Sequence, residues 1–66
     1  MIQILQQAIA QPQFQPRLIR ASRALFEVLI HEDLIDFRYG MHLLHHPEIA
    51  IELADDLGDD LFRLEF

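Results

Sequence analysis

Apolar residues recur along this chain at the three- and four-residue spacing that gathers them on one side of a helix. Ile2, Leu5 and Ile9 do so between Gln3, Gln6 and Gln7, which predicts a short amphipathic helix over 1–10. Pro12 and Pro16 lack a backbone N–H, and each pushes the residue before it out of the helical region. Residues 11–16 therefore read as an extended Gln/Pro linker, with Phe14 turned onto the core. From Arg17 the helical pattern resumes. Leu18, Ala21, Leu25, Val28 and Leu29 form one stripe. Phe26, Ile30, Leu34, Phe37, Met41 and Leu44 form a second, advancing in steps of four and three like the seam between paired helices.

That seam runs through His31, Glu32 and Asp33. Either one helix spans roughly 17–46, or the chain turns at 31–33, with Asp33 capping the next helix and Asp36 three residues on. The turn is preferred, because so long a helix has nothing in a short chain to bury its seam against. Gly40 weakens the helix in either case. Pro47 closes the segment, and Ile49, Ala50, Leu53, Ala54 and Leu57 predict a further helix with Gly58 just past its end. From Phe62 the chain alternates apolar and charged residues to Phe66, as a short strand or an extended arm does. The expected fold is all-α: a small bundle or helical hairpin of three to four helices. Its core is 17–57, and an acidic, aromatic tail occupies 58–66.

Length makes this a problem of stability. A chain of 66 residues is one domain, and so small a domain buries only about 60% of its unfolded surface. With no cysteine, disulfides and thiolate metal sites are excluded, which leaves a partner subunit as the cheapest support. The expectation is a homodimer that buries the seam Phe26, Ile30, Leu34, Phe37, Met41 and Leu44. An apolar fraction of 52% excludes disorder for most of the chain.

Charge changes the picture further. Residues 1–30 sum to +2, 31–47 to −2 and 48–66 to −6, for −6 overall. Arg17, Arg20 and Arg23 fall at steps of three and so on one helical face, a docking stripe for carboxylates on a partner or on a second copy. Asp55, Asp56, Asp59 and Asp60 make a second surface suited to a basic partner, with Phe62 and Phe66 as apolar anchors beside it. These acids come in adjacent pairs, unlike the alternating ligands of a calcium loop. The acidic balance argues against direct nucleic-acid binding. No apolar run is long enough to cross a bilayer, and the first residues lack the basic start of a signal peptide, so a cytoplasmic location is expected.

Catalytic chemistry has little to work with. The chain lacks Lys, Thr, Asn, Trp and Cys, and its single serine is Ser22. No cofactor is expected. His42 and His46, one helical turn apart, are the alternative metal-binding pair, without the glutamate order of the zinc helices. The reading is a small, acidic, non-catalytic protein–protein interaction module: an adaptor, regulator or inhibitor with a protein partner. A histidine-based metal binder and an acidic nucleic-acid mimic are the alternatives.

Overall fold

A computed structural model describes residues 2–10 and 15–66. In chain order it contains α1 (Ile2–Ile9), β1 (Leu18–Ala21), α2 (Arg23–His31), β2 (Ile35–Asp36), β3 (His42–Leu43), β4 (His46–Leu53) and β5 (Phe62–Glu65). The five strands form one mixed sheet in the order β2-β3-β4-β1-β5. β1 runs parallel to β4, and the other neighbours are antiparallel. The expected all-α bundle is therefore wrong: the chain is a one-sheet protein with two short helices.

The alternation of side chains explains the error. In β4, Ile49 and Ile51 are buried, whereas Glu48 and Glu52 are exposed. Residues two apart share a face of a strand, so both isoleucines enter the core together. A helix over the same residues leaves Ile51 outside the stripe Ile49, Ala50, Leu53, Ala54, Leu57. The same holds upstream. Ile19 and Ala21 of β1 are fully buried, and Ile19 was absent from the predicted helical stripe. Two β-branched residues at period two outweighed the 3.6-residue pattern once a sheet existed to receive them.

Leu5 of α1 and Leu25 and Leu29 of α2 close the core against Ile19, Ala21, Ile35, Leu43, Ile49 and Ile51. Both helices thus lie on one face of the sheet. Each fully buried leucine or isoleucine contributes about 1.5–3 kcal/mol through its removal from water. α2 begins at Ser22, whose Oγ accepts from the Leu25 N–H at 3.3 Å. It stops where a break was expected, though not by the expected device. Asp33 caps no second helix. It takes φ +56°, and the N–H groups of Asp33 and Leu34 donate to the carbonyls of Ile30 and Leu29 at 3.1 and 2.9 Å. This is a Schellman ending, with Asp in the left-handed position usually given to Gly. Leu34 packs back on the core, and the chain leaves as β2.

The proposed dimer seam dissolves with the helix that carried it. Phe26 and Ile30 are on α2, Leu34 and Phe37 flank β2, and Met41 and Leu44 flank β3. Phe26, Leu34 and Met41 pack on the core of their own molecule, while Ile30 and Phe37 face solvent. The helical core assigned to 17–57 is likewise replaced by β1, α2, β2, β3 and β4. Within 58–66, β5 occupies Phe62–Glu65 after the Gly58 turn, so the alternation from Phe62 is that of a strand. Of the expected linker, 11–14, including Phe14, lie outside the described residues, whereas Pro16 is fully buried.

Candidate functional site

The sequence marked two charged surfaces and a pair of histidines; the sharpest local geometry lies elsewhere, in the loop joining β2 to β3. Asp36 ends β2 and fixes the loop through one residue. Its Oδ1 accepts from the Arg38 backbone N–H at 2.9 Å and from Arg38 Nε at 3.3 Å, and its Oδ2 accepts from Nη2 at 3.2 Å. This three-point clasp and the charge of the guanidinium hold the Asp36 carboxyl below the ordinary carboxylate range, with His42 adding to the effect. Arg38 is raised in turn by the same contact.

The clasp throws the next residues outward. Tyr39 is 98% exposed and Phe37 60% exposed. Tyr39 takes φ +59° and Gly40 φ +98°. A bulky side chain in the left-handed region costs roughly 1–2 kcal/mol, so something must hold Tyr39 there. That hold comes from His42, the register partner of Asp36. His42 Nε2 lies 2.8 Å from the Tyr39 carbonyl. A carbonyl only accepts, so the proton sits on Nε2 and the ring donates. His42 Nδ1 is then left buried and without a hydrogen-bond partner among the described residues.

Beside the loop lies a cleft of about 390 Å³, lined by Asp36, Arg38, Tyr39, His42, His45 and Pro47, with Leu43 and Leu44 at its floor. Its far wall comes from an irregular β3–β4 pairing. Leu43 pairs with His46 across the turn, but His42 pairs with Ala50, so the register slips around Pro47. Proline has no N–H to donate, and such a slip is how a sheet accommodates it. Two exposed aromatic residues on either side of a clasped arginine in sequence, one of them lining the cleft, form a surface of the kind that anchors protein interfaces.

The basic stripe is not a stripe. Arg17 precedes β1, Arg20 lies within it and Arg23 opens α2. Arg20 points to the uncovered face of the sheet, where Nε lies 3.0 Å from Glu52 Oε2 and Nη2 2.8 Å from Asp56 Oδ1. Arg17 Nη2 meets Glu65 at 3.4 Å. Two of the three arginines thus meet acids of their own chain. Arg23 is exposed, with no ion pair among the described residues. Asp55, Asp56, Asp59 and Asp60 are all exposed between β4 and β5, and Asp60 holds Arg63 at 2.7 Å. Phe62 packs on the core and Phe66 is 64% exposed.

His42 and His46 sit on different strands, so the helical spacing that paired them is gone. His46 Nδ1 faces Glu48 at 3.4 Å. Among the described residues no three His, Asp or Glu side chains are grouped to hold a metal ion. A second, more apolar hollow of about 220 Å³ lies between α1 and the β3–β4 turn, lined by Leu5, Ile9, Leu29, Leu34, Leu44 and His46. No described helix is long and apolar enough to cross a membrane.

Sequence reasoning missed Phe37 and Tyr39 as surface groups because it assigned Phe37 to a seam. The signal was present: Tyr39-Gly40 next to Asp36-x-Arg38 is turn chemistry, with a carboxylate able to bond backbone two residues on. No family model, curated protein or solved structure matches this chain.

Proposed function

We propose that this chain is a small, acidic, non-catalytic protein–protein interaction module of the cytoplasm, an adaptor, regulator or inhibitor. It engages its partner through the Phe37-Arg38-Tyr39 loop and the cleft beside it. The observation that carries this reading is Tyr39: almost fully exposed, yet held in a strained conformation by the Asp36–Arg38 clasp below it and by His42 behind it. An exposed aromatic pre-set in a turn in this way lowers the ordering cost of an interface.

The test is site-specific photocrosslinking from position 39, with position 27 on the exposed side of α2 as control. A partner captured from 39 and not from 27 is then purified and titrated against the native chain and Tyr39→Ala. Loss of roughly tenfold or more in affinity supports the loop as the anchor, the scale expected for a hot-spot aromatic. Equal affinity of the two chains removes the loop from the interface.

A further inference from the structure

β5 is the last strand of the sheet, and no described strand lies beyond it. Which of its backbone groups are free follows from the pairing. β1 and β5 pair as Leu18 with Glu65, Arg20 with Arg63 and Ala21 with Phe62. The Ser22 N–H donates to the Leu61 carbonyl at 3.0 Å. Antiparallel pairs alternate between those that exchange hydrogen bonds and those that do not. Counting from Ser22–Leu61, Arg63 and Glu65 turn their N–H and C=O groups toward β1. Those of Phe62 and Leu64 point away from β1, where no described strand pairs with them. The side chains divide the other way. Phe62 and Leu64 lie on the helix-covered face with Ala21 and Ile19, and Arg63 and Glu65 lie on the open face with Arg20 and Leu18.

We infer that this edge pairs with the same edge of a second copy, antiparallel, about a two-fold axis through Leu64. The inference goes beyond the loop reading and rests on a different surface. Its ground is self-complementarity. Centred on Leu64, the register sets Arg63 opposite Glu65 of the other copy, twice, and Phe62 opposite Phe66, twice. Leu64 faces its own counterpart and exchanges both of its outward hydrogen bonds with it. The Phe66 N–H donates to the Phe62 carbonyl across the axis, while the Phe66 carbonyl stays with Arg17 Nε at 3.0 Å. The seam is then charged on the open face and apolar on the helix face. Phe66, 64% exposed in one copy, gains an aromatic neighbour. Shifting the register by two residues in either direction removes both charge pairs and separates both Phe62–Phe66 pairs. Edge strands are commonly blunted by shortness, charge, proline or bulges; β5 is four residues long and has no proline, and its two charges, Arg63 and Glu65, are the ones this register pairs. A two-fold pairing closes on itself, so two copies satisfy the edge without building a fibre.

The experiment is sedimentation equilibrium of the full chain and of two charge reversals, singly and mixed. Arg63→Glu makes the edge all acidic, and Glu65→Arg makes it all basic. The native chain is expected at twice its 7.8 kDa mass. Each reversal alone is expected to weaken the dimer by roughly tenfold or more, because like charges then face each other twice. An equimolar mixture is expected to restore it, since the two edges are complementary. Glu65 also meets Arg17 and Arg20, so a second measurement stands apart from folding of that variant. Leu64→Cys, in a chain without other cysteines, places one thiol across from its symmetry mate and is expected to oxidise to a covalent dimer. A native monomer that does not cross-link through Leu64→Cys overturns the pairing and leaves the edge for an extended segment of another protein. A dimer indifferent to both reversals overturns the register.

Discussion

Arg20 and Glu52 are register partners on the parallel pair β1–β4, and Arg20 Nε donates to Glu52 Oε2 at 3.0 Å on the uncovered face of the sheet. Asp56, beyond the end of β4, takes the other end of the same guanidinium. The arginine therefore clips the loop after β4 to the strand beside it. Replacing Arg20 by Met keeps the packing of the stem and removes the clip. Thermal melts are expected to show a lower Tm for Arg20→Met, and the difference is expected to narrow in high salt, since exposed charge pairs are screened. A difference that ignores salt assigns the effect to packing alone.

The loop clasp sets a pH dependence. Asp36 is held below the ordinary carboxylate range in the folded chain, so in acid the unfolded chain binds its proton first. Its contribution is complete above the ordinary carboxylate range and disappears as pH falls through the lowered value. Asp36→Asn is expected to flatten the acid limb by lowering stability at neutral pH, where the contribution is complete, and to leave stability in strong acid less affected. Chemical shifts of the Arg38 amide, followed by NMR through the acid range, report the release directly.

Tyr39 separates stability from function. Tyr39→Gly relieves the left-handed strain and is expected to raise stability by about 1 kcal/mol in denaturant melts. The same change removes the proposed anchor, so partner affinity falls while stability rises. A variant that loses both shows that Tyr39 supports the fold.

Two substitutions test the core and its cap. Leu29→Ala, at a fully buried position, is expected to cost about 2–5 kcal/mol. A domain of this size holds only about 3–10 kcal/mol in total, so circular dichroism should show much of the chain unfolded. Ser22→Ala removes the oxygen that accepts from Leu25 and is expected to cost roughly 1 kcal/mol, leaving a folded chain with a lower denaturant midpoint.

The limits of the sequence are visible at particular residues. The short first helix, the break after His31 and the alternation from Phe62 were legible, because each is set by neighbours in sequence, whereas Gly58 makes a turn and ends no helix. β1 and β4 were not. Leu18, Ala50, Leu53 and Ala54 fit a helical stripe as well as a strand, and only partners about thirty residues away decide between them. Ile19 and Ile51 were the discriminating residues: both fell outside the predicted stripes and both are buried, directly opposite each other. Of the candidate site, the charges were legible as composition and misplaced as geometry. Arg17, Arg20 and Arg23 share a face only on a helix, and the chain there changes from strand to helix at Ser22.

β1 sits between β4 and β5, and both neighbours come from the later half of the chain. On a ribosome this strand is made early and seated late. Until Leu53 has emerged, Ile19 has no strand to lie against, and the stretch Leu18–Ala21 is an unpaired apolar segment. Closing so long a loop is entropically slow, so the collapse of the whole molecule waits on one parallel pairing. A nascent chain halted before β4 should be open to protease at Arg17 and Arg20, and one halted after β5 should be protected there.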